Sequence, residues 1–496
     1  MNRIVLRNCR ALVGPDATLS PPVDIVIEGS RIRALAPAGA AAGGRIIDAE
    51  GGLAVPGLVN GHFHSGEHFH KGCFENLPLE VLIGFVRLPR PVPLTPRQVY
   101  LRTMIGAIEA LRTGTTTVVD DLNQDLTPDL RAAVFQAYED SGIRALVGSA
   151  MTDVPYYASV PFLEEEFDAE LLAELRSGPP LRPRAFLDTA RDLARTRHPR
   201  DARVGYILAP SAPQRCTDAF LRETRALADE FDLPVMIHVQ ESRLQVVHGR
   251  MLYGETMIEH LGRIDFLGPD TTLIHAVWLT PREIDLIART GTTVQHNPLS
   301  NMRLGSGLAP VRALLDAGVN VSMGSDGCGS TDTVNMMAVL AAAAAAGKLR
   351  GDDAAGWPTA AEMWRAGTAG GALALGLEDE IGAIAPGMRA DIVVHRTDRI
   401  PFVPLGDAVR QLVHASYGSG IETVIVDGEP VMVSGRLTRI DEAAVLGEIT
   451  EARAELAEAF AEADRMSRRL QPGYERIHRR SLAEPIAHDT FPARLS

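Results

Sequence analysis

Cysteine is scarce in this chain. Four in 496 residues, at Cys9, Cys73, Cys216 and Cys328, lie far apart and without pattern, so neither a disulfide framework nor a thiolate zinc knuckle is expected. A reduced, cytoplasmic setting follows as the expectation. Long apolar runs are missing too: none reaches the ~20 residues of a membrane-spanning helix. The opening MNRIVLRNCRALVG alternates apolar and polar residues, and reads as a strand instead of a signal peptide. Basic charge is also short. A net charge of −14 and a pI near 5.5 exclude the basic stripe of a nucleic-acid surface and leave a small molecule as the expected partner.

What is present is enough apolar material, 46% of residues, for one large α/β domain with an accessory domain. The most informative stretch is Leu53 to His70, LAVPGLVNGHFHSGEHFH. It starts as a buried strand and ends in His62-Phe63-His64, where the two-residue period of a strand aims both imidazoles to one side and Phe63 to the other. Three later apolar runs also end in His or Asp: VMIHVQE, TLIHAVW and VSMGSDG. From Thr115 to Asp326 such runs alternate with helical segments, the texture of βα units around a parallel sheet.

Eight strands are predicted: Leu53 to His64, Thr115 to Leu122, Arg144 to Met151, Arg203 to Ser211, Pro234 to Glu241, Thr271 to Trp278, Thr292 to Asn297 and Asn320 to Asp326. They spell a (β/α)8 barrel, with the His and Asp residues at the strand C-termini where such barrels carry their sites. Helices are predicted between them, for example Pro281 to Thr290 with Thr280 as N-cap. Further helices are expected at Val334 to Ala346 and Thr359 to Leu375. Short strands fill residues 1–55 and 381–440, and one β-sandwich built from both chain ends pairs them around a barrel of residues 56–380. Residues 441–496 read as a charged amphipathic helix to about Leu470 and an extended tail, packed on the barrel or at a subunit contact; a homo-oligomer, dimer or higher, is expected.

A catalytic zinc-type site needs a few nitrogen and carboxylate ligands and one open position. His62, His64, His238 and Asp326 supply them, His275 is placed to hydrogen-bond the nucleophilic water, and Glu241 can carry a proton between water and leaving group. A binuclear site needs a bridging Lys or Glu on the fourth strand. RVGYILAPS has neither, which favours one metal.

Six motifs, PGLVNGHFH, HVQE, HAVWL, HNPLSNMRLGSG, MGSDG and IGAIAPGMRADIVV, resemble the amidohydrolase superfamily in the expected order. The resemblance is to its branch of S-adenosylhomocysteine and methylthioadenosine deaminases, guanine deaminases and s-triazine hydrolases. It implies a distorted TIM-like barrel with a flanking β-sandwich and one divalent ion, zinc first and iron second, held by His62, His64, His238 and Asp326. It implies further that Asp326 takes a proton from the attacking water, His275 orients the nucleophile, and Glu241 protonates a ring nitrogen so that ammonia can leave. The expected substrate is an amino-substituted purine, pterin, pyrimidine or triazine. Displacement of chloride or sulfide, opening of a cyclic amide, and a non-catalytic ligand-binding barrel are the alternatives.

Substrate contacts are expected from Glu67, Ser211, Gln214, Arg215, Trp278, Asn297 and Arg303. Ser211, Gln214 and Arg215 stand where nucleoside-acting relatives often carry a His, which points away from an adenosine-type substrate. Glu67 either reads an amidine edge or is solvated in its loop. Thr152 to Phe167 is a candidate lid.

Overall fold

The computed structural model describes residues 3–122, 126–351 and 353–493. Its centre is a ring of parallel strands: β1 Leu58–Phe63, β2 Thr115–Leu122, β3 Arg144–Ser149, β4 Val204–Tyr206, β5 Val235–Val239, β6 Thr271–His275, β7 Thr293–His296 and β8 Val321–Met323. β1 to β4 pair in sequence order, as do β5 to β8. A parallel bridge between Leu208 and Val235 joins the two halves on one side. On the other, the Asp326 N–H donates to the His62 carbonyl at 3.0 Å. The barrel is therefore closed by a bond between two of the residues singled out in the sequence.

Alternation along each strand sorts its side chains. Val118, Ala145 and Val147 face the surrounding helices, while Val59, Val119, Leu146, Met236 and Ile274 fill the interior. Ala372, Leu375 and Ile381 plug the interior from below, so a ligand has access only at the opposite, C-terminal end of the strands. The helix expected at Pro281 to Thr290 forms there, and the one expected from Val334 starts at Met336. Thr280 caps Pro281–Thr290 in a reciprocal box with Glu283, and Gly291, at φ +71°, ends it.

The predicted first strand is in fact two. Leu53–Pro56 lies between Arg3–Val13 and Ile392–His395 in a sheet built from both chain ends, whereas Leu58–Phe63 belongs to the barrel. Gly57 is the hinge, because a Cβ there would lie 2.0 Å from the Thr116 hydroxyl. Thr359 to Leu375 is likewise broken, into Ala360–Ala366 and Ala369–Ala374, with Gly367 and Thr368 between.

The tail also departs from expectation. Helices Glu442–Glu455 and Ala457–Ala483 carry it well beyond Leu470, through Pro472. The long helix holds its place by packing: Tyr474 lies against Gly84, and Gly473 against the Phe167 ring. Tertiary burial overrides the helix-breaking signal of Pro-Gly. The last described residues return to the barrel mouth, where Phe491 N–H donates to the Leu279 carbonyl at 2.8 Å. Among the described residues, no helix is long and apolar enough to cross a membrane.

Candidate active site

His62 and His64 close β1, and the pairing register of β1 against β2 shifts between Asn60 and Phe63. The shift lets Val59 face the lower barrel while both imidazoles face its mouth. Phe63, between them, packs into the outer core, as the period predicts. His238 near the end of β5 and Asp326 just after β8 point to the same place. The His62 ring centroid lies 4.7 Å from that of His64 and 4.8 Å from that of His238. Asp326 Oδ1 lies 3.7 Å from His62 Nε2 and 3.4 Å from His64 Nε2. Possible donor atoms lie within 4.8 Å of one another in the triads His62–His64–Asp326 and His62–His238–His275.

Hydrogen bonds from the outer ring nitrogens orient two of these imidazoles. His64 Nδ1 donates to the Asp121 carbonyl at 2.6 Å and His238 Nδ1 to that of Ser211 at 2.8 Å. Each Nε2 is left as an inward lone pair, the arrangement found around metal-ligating histidines. His62 is fully buried, and neither ring nitrogen has a hydrogen-bond partner. An orphaned buried imidazole costs free energy, and burial pushes its pKa well below the ordinary 6.5. A neutral imidazole with a free lone pair beside a carboxylate is a donor set suited to a divalent cation.

The opposite wall carries His275, Glu241 and Asp326. His275 and Asp326 both occupy left-handed backbone, at φ +72° and +66°, a strained conformation that collects at functional sites. It turns the His275 ring inward although the strand period would turn it out. His275 Nδ1 is tethered to Asn301 Oδ1 at 2.8 Å, and its Nε2 stands 3.5 Å from Glu241 Oε2. Asp326 accepts from the Ser300 and Ser330 hydroxyls and the Gly327 N–H. Burial acts to raise its pKa, but the nearby His275, His64 and His62 and the Ser300 hydrogen bond bring it down to about 2. Glu241 behaves oppositely. Burial, then repulsion from Asp326 and Glu80, raises its pKa well above 4.5. Side-chain burial excludes a merely solvated loop role for it.

These groups line one cavity at the mouth of the barrel. Of the expected substrate contacts, Glu67 and Arg215 line it. Glu67 is buried, contrary to loop solvation, and accepts from the Gly329 N–H at 3.0 Å. The others do not line it. Ser211 supports His238 through its carbonyl, and Gln214 borders a neighbouring recess. Trp278 donates its indole N–H to the Ser306 carbonyl at 2.9 Å and packs against Val246 and Ala493. Asn297 is buried beneath His275. Arg303 is exposed and pairs with Asp332 at 2.6 Å. Within the candidate lid, Asp153 accepts from the Thr217 N–H at 2.7 Å and Tyr156 lies under Arg215.

Sequence reasoning missed two residues. Asp121, at the end of β2, forms a third possible donor triad with His64 and His238; the Asp120-Asp121 pair ending an apolar strand was the available signal. Arg87 enters the cavity from the end of helix Leu79–Val86, and nothing in its local sequence marks it.

A family model described as the amidohydrolase family matches residues 53–431. The 5'-deoxyadenosine deaminase of Methanothermobacter thermautotrophicus is 34% identical over 417 residues, 84% of this chain and 88% of that one. The 5-methylthioadenosine/S-adenosylhomocysteine deaminase of Thermococcus kodakarensis is 32% identical over 86% of this chain and 94% of its own. Among solved structures, an adenosine deaminase from Xanthomonas campestris with bound zinc superposes at a TM-score of 0.80, with 28% identity over 92% of this chain and 98% of that one. A zinc complex of atrazine chlorohydrolase from Arthrobacter aurescens gives 0.81, with 25% identity over 91% and 100%. On its match over most of its length, the chain belongs to the amidohydrolase family.

Proposed function

We propose that the protein is a metal-dependent hydrolytic deaminase that replaces an exocyclic amino group on a nitrogen heterocycle with oxygen and releases ammonia. The observation that carries this reading is the facing pair of Glu241 and His275 beside an inward set of imidazole and carboxylate donors. His62, His64, His238 and Asp326 would hold one divalent ion, zinc before iron. When bound, such an ion acidifies water and polarises the carbon under attack.

The protein's own groups then move the protons. Asp326, ionised down to a pKa of about 2, takes one from the attacking water. His275, held by Asn301, orients that water and stabilises charge developing on the oxygen. Glu241 stays protonated through burial and neighbouring carboxylates and donates to the adjacent ring nitrogen. Asp326 then passes the water's proton to the departing nitrogen, which cannot leave as an amide anion, and Glu241 recovers its proton from the hydroxyl as the carbonyl forms.

The adenosine-acting relatives favour a nucleoside-like ring, and the chlorohydrolase neighbour favours a second reading, chloride displacement from a triazine. Ammonia release across aminopurines, pterins, aminopyrimidines and aminotriazines, with chloride release from chlorotriazines measured in parallel, tests both. Ammonia from at least one ring supports the deaminase; chloride without ammonia replaces it with the second reading.

A further inference from the structure

Two cations in the cavity have no assigned work. Arg215 is 7% exposed, its Nε has no hydrogen-bond partner, and Nη1 reaches only the Ser211 hydroxyl at 3.2 Å. Its guanidinium lies 5.3 Å from the centre of the Tyr156 ring. Arg87 lines the same cavity from the end of helix Leu79–Val86, half-buried. Among the described residues, neither guanidinium has a carboxylate partner within 4.0 Å. Burial, followed by repulsion from Arg87, brings Arg215 down to about 10, so it remains charged at neutral pH. Leaving two like charges unpaired around one cavity is costly. That cost is retained where a ligand supplies the missing charge.

We propose, resting on the deaminase reading above, that the substrate ring carries a carboxylate, which Arg215 and Arg87 clamp while the amino group faces Glu241 and His275. The planar guanidinium fork matches a carboxylate in two parallel hydrogen bonds. A phosphate fits the surroundings less well. Arg87 sits at the C-terminal, negative end of its helix, and the ionised Asp326 shares the cavity, so a dianion meets more repulsion than a monoanion.

The test uses the metal-loaded full chain and paired substrates on purine, pterin, pyrimidine and triazine rings, each amino-heterocycle prepared as its carboxylate and as its carboxamide. On any ring that releases ammonia, kcat/KM for the carboxylate is expected to exceed that for the carboxamide by about 100-fold. Arg215→Met and Arg87→Met, each checked for metal content and unfolding temperature, are each expected to cut that ratio at least tenfold. Arg215→Lys, which keeps the charge without the fork, is expected to retain part of it. A wild-type preference for the carboxamide, or variants that slow both members equally, overturns the carboxylate clamp and leaves the deaminase standing. Ammonia from no ring overturns the deaminase reading and the clamp with it.

Discussion

Two buried clusters of charge lie at opposite ends of the barrel, and they are built on opposite rules. At the N-terminal end of the strands, Arg144 is fully buried and bonds to both oxygens of Asp391, at 3.1 and 3.2 Å, and to Asp427 at 3.2 Å. Arg389 reaches Asp427 at 2.7 Å, and the Asp427 N–H donates to Asp391 at 2.7 Å. Every charge there has a partner, and the cluster ties β3 to the sheet made from the chain ends. At the C-terminal end, both ring nitrogens of His62, one oxygen of Glu241 and the Nε of Arg215 lack partners. A protein that satisfies one cluster so completely is able to satisfy the other. The unpaired groups at the mouth are therefore read as complements to something that binds there.

That contrast breaks most visibly at Glu241. Glu241→Gln is expected to lower kcat about 10^3-fold while leaving metal content unchanged and the unfolding temperature unchanged or raised, since a costly buried carboxyl is removed. Turnover within a few fold of wild type would strip Glu241 of its proton-carrying role. The converse substitution, Arg144→Met, is expected to cost about 3–5 kcal/mol in denaturant unfolding because it leaves the buried Asp391 carboxylate without a cation. The specific activity of the folded fraction should stay near wild type. A variant that unfolds like wild type would mean that the lower cluster does not fasten the sheet.

A smaller effect sharpens the upper cluster alone. Asn301 touches His275 only from behind, so Asn301→Ala is expected to lower kcat by about 10 to 100-fold with little change in KM. A change confined to KM would place Asn301 in substrate binding instead. The smallest effect is in pH. Burial acts to raise the pKa of Asp427, but Arg144 and Arg389 hold it below its ordinary 3.8. A depressed carboxylate contributes stability above its unfolded pKa and loses it as pH falls through the folded value. Wild type should therefore lose stability below about pH 4, and Asp427→Asn should flatten that part of the profile. An unchanged profile would assign the acid sensitivity elsewhere.

Periodicity made most of the barrel legible: eight apolar runs at βα spacing, four ending in His or Asp, placed the strands and the mouth of the site. It failed where a single residue redirects the chain. Gly57 separates two strands that read as one, because nothing local distinguishes a strand that leaves its sheet from one that continues. The long terminal helix contradicts its own Pro-Gly signal because Tyr474 and Gly473 pack tightly against residues distant in sequence. Candidate residues on strand ends could be placed from the same periodicity, Asp121 excepted, whereas those on connecting segments were placed unevenly: Glu67, Arg215 and Glu241 line the cavity, but others do not. Trp278 and Arg303 looked like substrate contacts by position but are committed to Ser306 and Asp332, while Arg87 reaches the cavity from a helix end some twenty residues beyond the nearest strand.

The proposed chemistry depends on the upper cluster holding a cation, and metal analysis of purified, unchelated protein tests that most directly. About one equivalent of a divalent ion per chain is predicted, falling to a small fraction in His62→Ala. Less than half an equivalent in wild type, even after zinc supplementation, would contradict it.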